Sequence, residues 1–425
     1  MLLALLTLGS PCGCQSPSRT PAGAALSHSK SPDTSGDNGA TAQKTADRTV
    51  SPAAPASQPS ADVSTADTGI ADEEQSPAPE IRRYVRSALQ APPPGVRVER
   101  DIVYRTANGL DLRLDVYRLR VDAAGGRPAV IFIHGGGWRM GDKNQSRVRF
   151  VELAERGYVV FSINYRLSGQ AVFPACVEDC KAAVRWVRAN AGTYNVDGER
   201  IGLWGASAGA HLAALMAVSS DAEFRTADRG DQSSRVSCVV AYFGVYDLRD
   251  VGDGVGANLV QQLMGGSESQ RRAAYWRASP LAYVEALIGR RIPPPPGLGP
   301  LRRAASSQPV ASAPVTTTAS GEAPATAPAA SAPSSAPVSD IAPFLRVERA
   351  LPAFLFIHGD ADRVVHVSQS RRMHRALREA GAESELIVVR GGVHGLLIGR
   401  MDPPPSEFRR RTQEFLERHL KPAND

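Results

Sequence analysis

Residues 205–209 read G-A-S-A-G, the G-x-S-x-G spacing of a nucleophile turn centred on Ser207. An apolar run at residues 201–204 precedes this turn, and a helical stretch of small residues at 208–218 follows it. So sharp a turn requires small residues two positions before and after the serine, and both positions are glycine. We therefore predict that Ser207 presents its hydroxyl above a sheet edge as the nucleophile of an acyl transfer. The alternative is a glycine-rich turn with no chemistry.

Three consecutive glycines follow another predicted strand, where residues 134–138 read H-G-G-G-W. Acyl transfer develops negative charge on a carbonyl oxygen, and backbone N–H groups fixed in advance stabilise that charge. Glycines let the backbone come close to a substrate because no Cβ is in the way. We predict an oxyanion hole made by the N–H groups of Gly136, Gly137 and Ala208, with His134 orienting the loop. A flexible loop or a phosphate cradle is the alternative, but no G-K-[ST] follows the glycines.

The general base must be one of eight histidines. His394 is the best placed, because it follows the last predicted strand and has glycines on both sides in the G-G-V-H-G run of residues 391–395. His366 competes with it from another loop that follows a strand. His211 lies one helical turn after Ser207, on the helix behind the nucleophile, where a core or surface role is expected. We predict that His394 takes the proton of Ser207.

The third group must be a carboxylate that accepts the second N–H of the imidazole and stabilises the imidazolium. Residues 358–365 read H-G-D-A-D-R-V-V after the penultimate predicted strand and offer Asp360 and Asp362. We choose Asp362, because Asp360 is better suited to closing the turn itself; Asp247, after another strand, is a third candidate. The resulting chain order, Ser207 then Asp362 then His394, is the order that α/β hydrolases use.

Short apolar runs alternate with helical patterns along the part of the chain that carries these residues, which predicts an α/β fold with a mostly parallel central sheet and helices on both faces. An antiparallel pair, residues 96–106 and 110–117, opens the domain and turns at Asn108-Gly109. Further strands are predicted at residues 129–133, 158–165, 201–204, 236–243, 353–357 and 385–389. Helices are predicted at residues 147–156, 174–190, 208–218, 368–380 and 407–419.

The composition limits the other classes of function. The net charge is +6, but the arginines are spread over predicted helix faces without interleaved aromatic residues, so we predict no nucleic-acid partner. No run in the folded part approaches the roughly 18 apolar residues of a membrane span. Cys176, Cys180 and Cys238 show no metal-binding spacing and are predicted to be buried thiols. We expect neither a metal nor a cofactor.

Two tracts are rich in Ser, Pro, Ala and Thr and contain no Phe, Trp or Tyr, namely residues 15–80 and 293–340. We predict that both are disordered, the first as a tether and the second as an insertion within one hydrolase domain at 81–422. Residues 1–14 resemble an export signal, which predicts a periplasmic, secreted or surface-lipoprotein location; a cytoplasmic location stays open. Cys12 and Cys14 are candidates for lipid attachment to a membrane, although Pro11 fits that motif poorly.

Taken together, these motifs resemble those of the bacterial carboxylesterases and feruloyl-esterase-like α/β hydrolases, which are close to the hormone-sensitive-lipase group with its His-Gly-Gly-Gly loop. The resemblance covers most of residues 96–285 and 345–420. It runs through residues 134–143, 162–167, Phe173-Pro174 with Asp179, 205–212, 244–248 and 358–370. The resemblance implies the α/β-hydrolase fold and ester hydrolysis through an acyl-enzyme, with no cofactor. It also implies Ser207, Asp362 and His394 as the triad.

The sequence departs from that family in two places. About 55 residues intervene where the family has a short link before the penultimate strand, and only residues 80–90 could supply the amino-terminal helical cap of the hormone-sensitive-lipase group. Without a substantial cap domain the site is expected to be open to bulky substrates, such as acetyl or feruloyl esters of polysaccharide. Two other functions stay open: a serine peptidase like prolyl oligopeptidase, and a non-catalytic binding module on a hydrolase scaffold.

Overall fold

The computed structural model describes residues 92–121, 124–252, 254–290, 350–396 and 400–421, together with Leu345 and Glu348. These residues all belong to one compact unit, Pro77–Asp425. The predicted export signal at 1–14, the tether at 15–80, the cap candidate at 80–90 and the insertion at 293–340 lie outside the described residues.

One sheet of eight strands, in the order β1-β2-β4-β3-β5-β6-β7-β8, is the centre of the fold. β1 pairs antiparallel with β2, and β2 with β4; every later pair is parallel. The strands are β1 (Val96–Ala107), β2 (Leu110–Leu119), β3 (Arg127–Ile133), β4 (Val159–Ile163), β5 (Val196–Ala206), β6 (Cys238–Tyr242), β7 (Ala353–Gly359) and β8 (Ser384–Val389). The predicted α/β class and mostly parallel sheet are confirmed.

The local sequence explains both the hairpin between β1 and β2 and the fully buried strands of the sheet. Asn108 and Gly109 connect β1 and β2 with φ of 52° and 76°, the left-handed conformation that a tight hairpin turn requires. Within the sheet, all five residues of β4 and all seven of β7 are buried. Strands buried on both faces read as continuous apolar runs, which is why these segments show no alternation of polar and apolar residues.

Nine helices are described. They are α1 (Arg147–Glu155), α2 (Ala175–Ala189), α3 (Ala191–Tyr194), α4 (Ala208–Val218), α5 (Val255–Met264), α6 (Glu268–Arg277), α7 (Pro280–Leu287), α8 (Ser368–Glu379) and α9 (Pro405–Leu420). Alternate residues of β3 separate two cores: Ile131 packs in the cluster that contains residues of α2, α4 and α8, whereas Phe132 packs with α1 and α9. The sheet is therefore covered on both faces, as predicted.

The helices α5, α6 and α7, between β6 and β7, were not predicted from the sequence. α6 is mostly polar and buries Tyr275, so it carries little apolar periodicity; its start is marked instead by Gln270 Oε1, which accepts the backbone N–H of Ser267 at 3.0 Å. Among the described helices, none combines the length and the apolar character needed to cross a lipid bilayer.

Candidate active site

Ser207 lies in the turn between β5 and α4 with φ 53° and ψ −118°, a conformation that a residue with a side chain rarely adopts. Its backbone N–H is held by the carbonyl oxygen of Tyr242 at 2.8 Å. The flanking glycines are required by contact: a Cβ on Gly205 would collide with the carbonyl of Gly209, and one on Gly209 with the carbonyl of Ile133. The turn is therefore strained and closely packed, and Ser207 within it stays partly exposed.

The three side chains predicted as nucleophile, base and acid are in contact, although they are far apart in the sequence. His394 Nε2 lies 3.0 Å from Ser207 Oγ, and His394 Nδ1 lies 2.7 Å from Asp362 Oδ2. Because the carboxylate accepts the hydrogen on Nδ1, Nε2 is left free to accept the serine hydroxyl proton. His394 is one-fifth exposed and Asp362 is fully buried, so the base faces solvent and the acid faces the protein.

Several donors hold the Asp362 carboxylate in its charged form. Oδ1 accepts the backbone N–H groups of Val364 and Val365 at 2.8 and 2.9 Å. Burial by itself would raise the pKa of Asp362, but the hydrogen bonds from His358, His394 and Val365 hold the pKa well below its usual value. An ionised acid at this position can stabilise a positive charge on His394.

The glycine loop after β3 lies directly beside the nucleophile turn. A Cβ on Gly135 would stand 3.3 Å from Ser207 Cβ and 2.8 Å from the carbonyl oxygen of Ala206. Gly136 and Gly137 have φ of 115° and 60°, which favour glycine. Ala208 begins α4, so its N–H is one of the unsatisfied donors at the positive end of that helix. The three predicted oxyanion donors therefore belong to two segments in contact at Ser207.

Other histidines of the site are buried and neutral. Burial lowers the pKa of His134 to about 4 and that of His211 to about 4. His134 stacks on Tyr165 at 4.3 Å between ring centroids, and its Nδ1–H donates to the carbonyl of Gly135. These two contacts are consistent with the role predicted for His134, which is to orient the glycine loop. His211 lies in the core and contacts Trp138 of the glycine loop.

The other candidates for the acid and the base form contacts that do not include Ser207 or His394. Asp360 Oδ1 accepts the N–H of Gly391 at 2.8 Å, which links its loop to that of His394. Asp247 is paired with Arg249 and Arg372, each at 2.6 Å. His366 is exposed and contacts Ser368.

The cysteines within the described part of the chain, Cys176, Cys180 and Cys238, are free and buried, as predicted. In the same residues, no three or more His, Cys, Asp or Glu side chains are grouped so that they could hold a metal ion.

His358 was not predicted to belong to the site. It is fully buried, and its Nε2 lies 3.3 Å from Asp362 Oδ2. Phe243 was also not singled out: its ring meets the His394 ring edge-on, with 4.8 Å between centroids, and it has a φ of 39°. No sequence pattern marks an aromatic residue after a strand as one with a positive φ, so Phe243 could not be found from the sequence. His358 could have been found, because residues 358–362 read H-G-x-x-D and place it close to Asp362 in the chain.

Two family models match the chain, one before the insertion predicted at 293–340 and one that begins within it. The BD-FAE model matches residues 114–289, which include Ser207 and the glycine loop. The model of the Prolyl oligopeptidase family matches residues 312–423, which include Asp362 and His394.

Curated relatives of this sequence have names of esterases. The chain is 29% identical over 278 residues to Esterase LipQ of Mycobacterium tuberculosis, across 64% of this chain and 51% of that protein. It is 33% identical over 189 residues to the Probable carboxylic ester hydrolase LipM of the same organism, across 43% of each. A Probable isoprenylcysteine alpha-carbonyl methylesterase, ICMEL1 of Oryza sativa subsp. japonica, is 34% identical over 182 residues and covered over 41% of its length. The chain thus spans about half the length of the curated relatives it matches.

Solved structures show the same fold. Esterase Est2 of Thermogutta terrifontis superposes with a TM-score of 0.54 and 24% identity, over 81% of this chain and all of that one. A bifunctional GH43-CE protein of Bacteroides eggerthii gives a TM-score of 0.53 over 76% of this chain and 38% of that one, again at 24% identity. The sequence matches and the fold together confirm the resemblance predicted from the motifs: the chain has the α/β-hydrolase fold, and the relatives named here carry esterase names.

Proposed function

We propose that this protein is a serine carboxylester hydrolase that acts through an acyl-enzyme. One observation carries the proposal: Ser207, His394 and Asp362 form a continuous chain of hydrogen bonds, 3.0 and 2.7 Å long, beside a glycine loop. The esterase names of the relatives support it.

Each group has a defined step in the proposed reaction. Ser207 Oγ attacks the ester carbonyl carbon while its proton passes to His394 Nε2, and Asp362 stabilises the imidazolium that forms. The N–H groups of Gly136, Gly137 and Ala208 bind the negative oxygen of the tetrahedral intermediate. The intermediate collapses, the alcohol leaves with the proton from His394, and the acyl group remains on Ser207. Water then attacks the acyl carbonyl carbon while His394 takes its proton. The second tetrahedral intermediate collapses, the carboxylic acid leaves, and His394 returns the proton to Ser207 Oγ.

We extend the proposal to acetyl and feruloyl esters of polysaccharide as substrates, on the resemblance to feruloyl-esterase-like hydrolases. An exported protein, with a lipid anchor at Cys12 or Cys14, would meet such substrates; this location is part of the proposal. A panel of acetyl, butyryl, octanoyl and feruloyl esters with acetylated xylan tests it. Preference for simple octanoyl esters over every aromatic or polysaccharide ester would contradict the substrate class.

The direct test of the mechanism is Ser207→Ala with p-nitrophenyl acetate as substrate. We expect kcat to fall by roughly 10³-fold or more, because the nucleophile is removed while the fold is kept. A fluorophosphonate probe should label the wild type and leave Ser207→Ala unlabelled. The matched control is Ser237→Ala. Ser237 lies just before β6, and its hydroxyl donates to the backbone carbonyl of Glu199 in β5, so this variant should keep wild-type activity. Equal turnover by Ser207→Ala would remove Ser207 from the mechanism.

A second candidate function is a serine peptidase, and the match to the Prolyl oligopeptidase family over residues 312–423 favours it. That match contains the acid and the base, which esterases and peptidases share, whereas the nucleophile falls in the BD-FAE match. Faster cleavage of a Pro-p-nitroanilide than of any ester would favour the peptidase. A folded protein that no fluorophosphonate labels would favour the non-catalytic binding module.

A further inference from the structure

His358 ends β7 as a fully buried imidazole whose two nitrogens are both occupied. Nε2 lies 2.8 Å from the carbonyl oxygen of Val365, which can only accept, so Nε2 carries the hydrogen. Nδ1 is therefore an acceptor, and the hydroxyl of Ser370, on α8, donates to it at 2.7 Å. These two contacts fix the orientation of the ring.

The same nitrogen faces the proposed catalytic acid. His358 Nε2 is 3.3 Å from Asp362 Oδ2, the oxygen that also receives the hydrogen of His394 Nδ1. Val365 completes a closed arrangement: its carbonyl is held by His358, and its N–H donates to Asp362 Oδ1 at 2.9 Å. The single hydrogen on Nε2 therefore faces both the Val365 carbonyl, at 2.8 Å, and Asp362 Oδ2, at 3.3 Å, so the ring contacts one carboxylate oxygen directly and the other through Val365.

A histidine that served only to fill the core would not need to contact Asp362 Oδ2, the oxygen that also accepts the hydrogen of His394 Nδ1. Asp362 is the charged group that contacts His358 from the loop 359–365, Ser370 is the polar group that meets it from α8, and His394 faces the far side of the shared oxygen. We propose that His358 is a positioning residue for the proposed esterase reaction, which directs Asp362 Oδ2 toward His394 and takes part of its negative charge. This inference rests on the proposed function.

The role has two measurable consequences. Without His358, the acid loop loses its anchor at Val365, so the carboxylate stays beside His394 but holds its ring at a less productive angle to Ser207, and kcat falls. The negative charge of Oδ2 is also no longer shared, so Asp362 stabilises the protonated form of His394 more strongly. The pH at which kcat/KM reaches half its maximum therefore moves to a higher value, a change that a loss of packing alone does not cause.

The test is a pH profile of p-nitrophenyl acetate hydrolysis by the full chain carrying His358→Leu or His358→Gln, with the active fraction counted by fluorophosphonate labelling. We expect His358→Leu to lower kcat by roughly 10- to 100-fold, as for loss of a hydrogen bond to a charged group, with KM nearly unchanged and the midpoint raised. His358→Gln keeps one donor and one acceptor and should recover part of both effects. Ser370→Ala, which removes the partner of Nδ1, gives a second and milder disturbance in the same direction if His358→Leu fails to fold.

The matched control is His374→Gln. His374 has the same kind of contact, Nδ1 to the hydroxyl of Ser384 at 2.8 Å, but lies on α8 away from Asp362, and both kcat and the midpoint should stay at wild-type values. Wild-type behaviour of His358→Leu, or a lower kcat with an unmoved midpoint, would overturn the positioning role and leave the esterase proposal intact. Absence of Ser207-dependent hydrolysis in the wild type would instead remove the proposed function itself.

Discussion

Trp138 and His211 join the glycine loop to α4, the helix that follows Ser207. The indole Nε1–H of Trp138 donates to Nδ1 of His211 at 3.1 Å, and the two buried rings meet edge-on with 5.1 Å between centroids. His211 Nε2–H donates in turn to the carbonyl of Ala278 at 2.7 Å. The loop that carries Gly136 and Gly137 is therefore tied to α4 and to the chain just before α7.

We predict that Trp138→Phe lowers kcat for p-nitrophenyl acetate by roughly 10-fold, with a smaller change in KM. The variant keeps an aromatic ring but removes the donor, so the loop is held less well and the oxyanion donors are less often in place. Trp186→Phe, at a buried tryptophan that packs on Phe161, is the control and should keep wild-type kinetics. Equal kcat for wild type and Trp138→Phe would show that this hydrogen bond does not position the loop.

The two carboxylates of the acid loop should differ sharply in their effect on turnover. Asp362→Asn is expected to lower kcat by roughly 10³- to 10⁴-fold, because the amide can present the wrong group to His394 and does not stabilise the imidazolium. Asp360→Asn keeps an oxygen that can accept the N–H of Gly391 and should retain most activity. The comparison is made by kcat on one short ester, and the reverse order of damage would exchange their roles.

The sequence could predict the site wherever chemistry requires a residue type next to a strand end. Ser207, His394 and the glycine loop all met that condition, and the two-residue choice between Asp360 and Asp362 rested only on how a loop closes. The contacts of His211 could not be predicted, because its partners are 73 residues earlier and 67 residues later in the chain. The helices between β6 and β7 escaped for a different reason: they lie beside the sheet and pack partly through polar residues, as Arg249 does over Trp276 at 3.8 Å.

Gly137 gives a steric test of the glycine loop. A Cβ at this position would lie 2.6 Å from Leu259 Cδ1 of α5, and the φ of 60° disfavours any side chain. We predict that Gly137→Ala lowers kcat/KM by at least roughly 10-fold, since Leu259 or the loop must move by about 1 Å to restore ordinary contact and backbone strain adds about 1–2 kcal/mol.

A second substitution, Leu259→Ala, separates the effect of the contact with Leu259 from the effect of the φ angle of Gly137. The variant opens the space beside Gly137, so the double variant Gly137→Ala with Leu259→Ala should recover part of the lost kcat/KM and leave the cost of the φ angle. A coupling energy from the four proteins measures the steric share directly. If the double variant is as impaired as the sum of the single variants, Leu259 does not limit the position of the loop.

Acid should destabilise the fold over a pH range set by His134 and His211. Their folded pKa of about 4 lies below the ordinary value of 6.5, so between these pH values the unfolded chain binds more protons than the folded chain. The free energy of unfolding therefore falls as the pH falls from 6.5 to 4, by about 1.4 kcal/mol per pH unit for each histidine and by about 3 kcal/mol for each in total. Urea unfolding at several pH values measures this slope. His211→Gln should lower the slope by about 1.4 kcal/mol per pH unit, the share of one ring. A slope in His211→Gln as steep as in the wild type would mean that the ring of His211 is already protonated, or accessible to protons, in the folded protein, and its hydrogen bond from Trp138 could not then have the form described.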